Sequence, residues 1–331
     1  MKKINLIAEL CQNHNGDLSI VEEMIHAAKE NGADYVKIQS MRSQDLTFRK
    51  RFEDGLIEGG NIKCIKRPFK KELNRLKNLN LSVDEHFKFL DLCRKYKIKP
   101  MTTIFSRNRV NLVRKMKLKY IKVSSFDCSS EALIKDILTK TNSNIIVSTG
   151  GAFDREIINT AKIFKSFKRK LTLLHCISIY PTTPNVASML RIKFLKSLTK
   201  SVGFSDHSNP DLYSYDLSAL STTLGATWIE RHFTILKKDQ TKDGVVSVDP
   251  SQLRELRKAV DLPNAQILNY IKKKYSKSEL KRIMGLENRE LTNEEILNRD
   301  YYQGRFHSKS NFGKKVFNWD KSIKLNKIKQ V

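Results

Sequence analysis

The sequence predicts an α/β protein, a closed (β/α)8 or TIM barrel followed by a short, basic C-terminal extension that departs from any standard pattern. Three observations predict it. Eight apolar runs of strand length alternate with segments of helical period. The runs are apolar throughout, as strands covered on both faces must be. Each run ends in a polar cluster, and in barrels of this kind the chemistry sits at the carboxyl ends of the strands. A doubly wound open sheet is the rival architecture, but no glycine-rich dinucleotide loop follows the first strand.

In order, the first strand covers 5–10 (NLIAEL) and runs into the polar loop CQNHNGD. Asp17 or Ser19 caps a helix over 20–30, where Ile20, Val21, Met24, Ile25 and Ala28 recur at helical spacing and Asn31-Gly32 ends it. The second strand is 34–39. Residues 41–82 are charged, carry no strand period and are broken by Gly59-Gly60 and Pro68, so they read as a long, partly helical insertion. Helix 84–96, strand 100–105, helix 108–116 and strand 120–125 follow. Then come helix 131–138, strand 145–149 with a Gly150-Gly151 turn, and helix 154–167, with Asp154 as its expected cap. Strand 171–176, helix 188–197, strand 202–204, a further helix, strand 227–229 and helix 250–260 complete the barrel. Residues 1–263 form the barrel domain in this reading. Residues 264–331 form an irregular basic extension with a helical stretch near 266–283.

The chain has 331 residues, with 62 Lys+Arg against 35 Asp+Glu and a net charge of +27. Such a balance suits nucleic acid, an anionic membrane or an acidic substrate. The lysines are scattered, though, and no RNA-binding signature appears, so solvated helix faces are the plainer reading and nucleic acid is not expected as a partner. The five cysteines, Cys11, Cys64, Cys93, Cys128 and Cys176, are odd in number and show no metal-type spacing, which points to free thiols in a reducing cytoplasm. Met1-Lys2-Lys3 resembles the start of a signal peptide, but Asn5, Glu9, Gln12 and Asn13 interrupt the apolar run. No run is long enough to span a membrane.

Reading only the strand ends gives Glu9; Lys37 and Gln39; Thr103 and Ser106; Lys122, Ser125 and Asp127; Ser148 and Thr149; Ser178 and Tyr180; Ser205, Asp206 and His207; and Glu230, Arg231 and His232. Two lysines among hydroxyls suit a small polyanion carrying phosphate and carboxylate. His207 and His232, at matching positions on adjacent strands with carboxylates nearby, suit a divalent metal with open positions. Lys37 or Lys122 also fits the role of a Schiff-base lysine. His14, in NHNG beside Asn13, either faces a substrate or shapes its own loop. His175 lies inside a strand and reads as core.

The phrases IAELCQNHNGD (7–17), GADYVKIQ (32–39), TTIFS (102–106), YIKVSSFD (120–127), VSTGG (147–151), LLHCISIYPTTP (173–184), VGFSDHS (202–208) and IERHFT (229–234) together resemble the N-acetylneuraminate (sialic acid) synthase family, which includes legionaminate and pseudaminate synthases. The likeness covers the whole barrel, in order. It implies condensation of phosphoenolpyruvate with the open-chain aldehyde of an N-acylated hexosamine, giving a nine-carbon 2-keto acid and phosphate. It implies a divalent ion, Mn²⁺ or else Mg²⁺ or Co²⁺, held at His207 and His232. Lys37, Thr103, Lys122, Ser125, Ser148 and Ser205 match positions that hold phosphoenolpyruvate. Gln39, Ser178, Tyr180, Asn13 and His14 join them as substrate-binding candidates. Glu9, Asp127 and Asp243 match acidic positions at the sugar and metal end, with Glu9 as candidate base. Ile104, Asp127, Gly151 and Ser178 stand where the family usually has Pro, Glu, Met and Asn.

The family usually ends in an antifreeze-like domain that supplies an arginine across a dimer. Its pattern is not recognisable after Val260, which leaves Arg305 or His307 as substitutes and a homodimer as an open expectation. A phosphorylated acceptor and a catalytically silent barrel that binds an anionic polymer remain as alternatives.

Overall fold

In the computed structural model, which describes residues 3–331, eight parallel strands close into a barrel in sequence order. They are β1 (Asn5–Cys11), β2 (Tyr35–Ser40), β3 (Lys99–Ile104), β4 (Tyr120–Val123), β5 (Asn144–Ser148), β6 (Leu171–His175), β7 (Ser201–Asp206) and β8 (Trp228–His232). Closure is made by β1 against β8, in a register running from Asn5↔Trp228 to Glu9↔His232. The helices α1 (Leu18–Glu30), α2 (Val83–Lys95), α3 (Val110–Met116), α4 (Glu131–Lys140), α5 (Asp154–Ser166), α6 (Arg191–Leu198), α7 (Asp216–Thr223) and α8 (Pro250–Val260) surround them.

Helix starts follow local chemistry. The Asp17 carboxylate accepts from the Ser19 backbone N–H at 2.8 Å and opens α1. Ser82 with Glu85, and Asp249 with Gln252, close reciprocal caps on α2 and α8. Asp154 does not cap α5. The cap position is Phe153, whose backbone N–H donates to Glu156 at 2.9 Å, and Asp154 turns instead to pair with Arg191.

Side-chain alternation divides each strand between two cores. Outward residues pack against the helices in one continuous apolar layer. Inward residues Ile7, Tyr35, Met101, Ile146, Leu174 and Trp228 form a floor inside the barrel. The Trp228 ring lies 5.3 Å from Tyr35 and 4.8 Å from Tyr120. Gly203 lets β7 and β8 approach closely at this residue: a Cβ there would stand 2.2 Å from the Trp228 carbonyl oxygen and 2.6 Å from the Trp228 Cβ.

The insertion after β2 holds a short exposed hairpin, Leu56–Glu58 with Asn61–Cys64, and a helix, Phe69–Lys77. The absence of any strand period over 41–82 did not foresee the hairpin. Beyond α8 the expected irregular extension is largely ordered into three helices, α9 (Asn264–Lys274), α10 (Lys277–Met284) and α11 (Asn293–Tyr302). The single stretch expected near 266–283 is split because the Ser276 hydroxyl accepts from the Glu279 N–H and starts a new helix. Ile267, Ile271 and Ile283 join the outer core, and the Tyr270 and Tyr275 hydroxyls donate to Asp216 of α7 at 2.9 and 2.5 Å.

Residues 293–308 form a strap across the barrel mouth. Asn298 donates to the Ser178 carbonyl at 3.0 Å, and Arg299 reaches the Gly151 carbonyl at 2.5 Å and Glu156 at 2.6 Å. Tyr302 stacks on Phe126 with centroids 4.8 Å apart. Arg305 pairs with Glu72, its carbonyl accepts from the Thr47 N–H at 2.8 Å, and the His307 N–H donates to the Asp45 carbonyl at 2.8 Å. The strap thus joins the loops after β6, β5 and β4 to the insertion after β2.

Candidate active site

The two-residue step that builds the floor also builds the site. Ile7 leads to Glu9, Tyr35 to Lys37, Met101 to Thr103, Tyr120 to Lys122, Ile146 to Ser148 and Trp228 to Glu230. A ring of polar groups therefore stands one layer above the apolar floor, at the carboxyl ends of the strands. One further step upward gives Gln39, Ser178 above Cys176, His207 above Ser205, and His232 above Glu230. These residues line a cavity of about 390 Å³, closed on one side by Glu294, Asn298, Tyr302 and Arg305 of the strap. That size is within the usual range for small-molecule sites.

Two buried lysines and two buried carboxylates meet at its base. Lys37 pairs with Glu9, donates to the Thr103 hydroxyl at 2.9 Å and lies 3.6 Å from Glu230. Lys122 pairs with Glu230, which also accepts from the Ser205 hydroxyl at 2.8 Å. Burial pushes the Glu230 carboxyl up, but Lys122 and Lys37 outweigh it and hold the group well below the usual carboxylate range. Burial, with Lys122 beside it and only partly offset by Glu230, brings the Lys37 ammonium down to about 7. Around the rim stand Arg67, Lys242 and Arg305. Lys242 remains open to solvent, yet the loss of part of its hydration and the nearby Arg75 and Arg305 draw it down to about 8.

The opposite residues of the same strand ends face outward. Asp206 and Arg231 pair at 2.6 Å, and Asp206 also accepts from Ser218 of α7, so they bind barrel to helix and not to a ligand.

A metal-donor set lies beside the carboxylates. The His207 Nδ1–H donates to the Ile177 carbonyl at 2.8 Å, which leaves Nε2 as the acceptor, hydrogen-bonded by the Tyr180 hydroxyl at 3.0 Å, with the Ser205 hydroxyl at 3.3 Å. The His207 and His232 rings are 5.5 Å apart at 75°. Burial lowers His207 to about 3 and His232 to about 4, so both imidazoles are neutral at working pH and each keeps a nitrogen lone pair. Buried His232 Nδ1 has no hydrogen-bond partner among the described residues, and Asp243 Oδ2 lies 3.7 Å from it. An unpartnered imidazole nitrogen facing a carboxylate is what a cation site requires, so the donors present fit a divalent ion.

Of the residues expected at the site, Glu9, Lys37, Gln39, Thr103, Lys122, Ser125, Ser148, Ser178, Tyr180, Ser205, His207, His232 and Asp243 line this cavity. Asn13, His14 and Asp127 do not. Asn13 is buried and donates to the Phe233 carbonyl at 3.0 Å and to Ser247 at 2.9 Å. His14 Nδ1 accepts from the Gly16 N–H at 3.0 Å and shapes its own loop. The Asp127 carboxylate accepts from Ser124 at 2.9 Å, Ser130 at 2.9 Å and Asn318 at 2.7 Å, which ties the loop after β4 to the C-terminal segment. His307 is held by Thr47 at 3.0 Å and lies away from the cavity, whereas Arg305 lines it. The sequence reading placed Glu230 at a strand end but gave it no role in the site, although its place two residues before His232 fixed its direction. Lys242, Glu294, Asn298 and Tyr302 carried no strand-end signal.

Fold and cavity together define a (β/α)8 barrel protein with buried lysines, carboxylates and histidines gathered at the carboxyl ends of its strands, the place where barrels of this kind carry their active sites. The sequence profile of the NeuB family matches residues 24–270. The chain belongs to that family. It is 32% identical over 289 residues to N,N'-diacetyllegionaminic acid synthase of Campylobacter jejuni, covering 86% of this chain and 83% of that one. It is 30% identical to pseudaminic acid synthase of Helicobacter pylori, covering 77% and 73%. The fold superposes on the N-acetylneuraminic acid (sialic acid) synthetase of Leptospira borgpetersenii, solved with citrate, with a TM-score of 0.68, 28% identity and coverage of 85% and 90%.

Proposed function

We propose that the protein condenses phosphoenolpyruvate with the open-chain form of an N-acylated hexosamine, giving a nine-carbon 2-keto sugar acid and phosphate. The observation that carries this reading is the pairing of Lys37 and Lys122 with Glu9 and Glu230 inside a ring of hydroxyls, next to a donor set suited to a cation. In this reading, phosphoenolpyruvate places its phosphate and carboxylate on the lysines and on Ser125, Ser148 and Ser205. Its C3 bonds to the aldehyde carbon of the acceptor as the aldehyde C=O π bond opens, and the aldehyde oxygen takes a proton from solvent water. A divalent ion bound at the donor set supplies Lewis-acid polarisation of that oxygen. Water then bonds to C2 and passes a proton to Glu9, which sits on the cavity wall between Lys37 and β8. Phosphate leaves as the C2–O bond to it breaks, taking the proton of the new C2 hydroxyl, and the ketone forms. The strap supplies Glu294, Asn298, Tyr302 and Arg305 to the remaining wall, where hydroxyl and acylamino groups of an acceptor find donors and acceptors.

The test is phosphate release from phosphoenolpyruvate by metal-stripped protein after restoring a divalent ion, across N-acetylmannosamine, its 6-phosphate and diacetamido hexoses. Turnover that needs both substrates and is lost in His232→Ala supports the reading. Folded protein that turns over none of these acceptors rejects it.

A further inference from the structure

We propose that Cys11 is a thiolate ligand of the divalent ion, making the centre a sulfur-containing site built from Cys11, His232 and Asp243. The inference rests on the metal-dependent reading of this cavity but not on the identity of the reaction. The three side chains meet at the β1–β8 seam. Glu9 pairs in register with His232, and the chain bulges against β2 between Glu9 and Cys11. The bulge is held where the Glu9 carboxylate accepts from the Cys11 N–H at 2.7 Å. It leaves Cys11 fully buried at the top of the seam. Its sulfur, a ring nitrogen of His232 and a carboxylate oxygen of Asp243 all lie within 4.8 Å of one another. Among the described residues no other three groups of this kind come together.

The spacing fits an ion. Nitrogen and oxygen ligands about 2.1 Å from a tetrahedral centre stand about 3.4 Å apart, and a sulfur ligand at about 2.3 Å stands slightly farther. His232 Nδ1 and Asp243 Oδ2 are 3.7 Å apart, so small rotations bring the set onto a common centre. The second observation is independent of the cysteine. His232 is only 5% exposed, and its Nδ1 has no hydrogen bond among the described residues, so a buried lone pair faces this point without a partner. The other cysteines have different surroundings. Cys64 lies 3.3 Å from the Arg51 carbonyl, Cys176 lies 3.1 Å from the Ser125 hydroxyl, and Cys93 and Cys128 belong to the apolar core.

A thiolate ligand changes which ion the site selects. Oxygen-rich sites suit Mn²⁺ and Mg²⁺, whereas sulfur shifts preference toward Zn²⁺, Co²⁺ and other softer ions. Loading is balanced by one proton: the Cys11 S–H bond breaks, a sulfur–metal bond forms, and the proton goes to solvent.

The experiment uses the full chain, stripped of metal and titrated with Co²⁺. Expected are a near-ultraviolet sulfur-to-cobalt charge-transfer band at one equivalent and release of one proton. Both should vanish in Cys11→Ser, while the visible d–d bands of bound Co²⁺ remain. Cys64→Ser should keep the charge-transfer band. Cd²⁺ affinity should fall about 100-fold in Cys11→Ser, with Mn²⁺ affinity changed less than about threefold. X-ray absorption of the zinc-loaded wild type, which needs no variant, should show a sulfur neighbour at about 2.3 Å. Cobalt bound without the charge-transfer band, equal Cd²⁺ affinity in wild type and Cys11→Ser, or folded wild type that takes up no Co²⁺ would each overturn the assignment. None of these readouts uses turnover, so a protein inactive on every acceptor still decides the matter.

Discussion

Replacing Glu230 by Gln removes one charge from the base of the cavity and leaves its shape. Glu230 is the counter-charge of Lys122 and stands 3.6 Å from Lys37. The two lysines keep it ionised despite burial, so the substitution is a loss of charge at any working pH. Lys37 keeps Glu9, but Lys122, only 6% exposed, keeps no carboxylate. Stranding a buried charge costs about 3 kcal/mol, which corresponds to a fall in Tm of about 5 °C for a chain of this size. The same loss frees a cation for an incoming anion. Phosphoenolpyruvate should therefore bind Glu230→Gln about tenfold more tightly than wild type, adding about 1.4 kcal/mol to its ligand-induced stabilisation. Removing both charges in Glu230→Gln/Lys122→Met should restore much of the lost stability and abolish the ligand shift. Thermal melts with and without phosphoenolpyruvate read all three proteins. A Glu230→Gln variant that melts lower but gains a smaller ligand shift than wild type would refute the idea that Glu230 occupies the charge position the substrate takes over.

Three further outcomes are expected. Arg305→Gln removes a buried guanidinium that faces the cavity and pairs with Glu72, so the acceptor KM should rise about tenfold while the phosphoenolpyruvate KM stays within about twofold in steady-state assays. Burial pushes the Glu72 carboxyl up, but Arg75 and Arg305 hold it down at about 2 against the usual 4.5. Because the folded value is depressed, its stabilisation of about 3 kcal/mol is present above about pH 4.5 and fades as pH falls toward 2, so denaturant stabilities of wild type and Glu72→Gln should converge across that window. Gly203→Ala drives a methyl into the Trp228 backbone and should cost about 3 kcal/mol, read as a lower denaturation midpoint with an unchanged slope.

The barrel was legible because its signals are local and periodic. Each strand carries its own apolar run and each helix its own spacing. The polar ring was legible for the same reason, since a two-residue step carries Ile7 to Glu9 and Tyr35 to Lys37 without knowledge of any partner. What failed was information held elsewhere in the chain. Asp127 reads as a strand-end acid, yet Asn318, 191 residues away, takes up its carboxylate. Asn13 sits in a loop suited to ligands, yet its amide is drawn off by Phe233 and Ser247. Cys11 followed the same step as Glu9, but a lone cysteine in a sequence has no donors beside it until β8 and the loop carrying Asp243 are folded against β1. The strap was hidden most completely, because Glu294, Asn298 and Tyr302 gain their meaning from loops that precede them by more than a hundred residues.

That strap gives the molecule an order of completion. Residues through His232 contain all eight barrel strands, and they are synthesised before any residue of 293–308. The residues of the floor and of the ring of charges are therefore all in the chain while those of the upper wall are still to be added. Translation delivers the scaffold first and the finished cavity wall afterwards, so a chain still being synthesised does not yet present a complete cavity to any ligand.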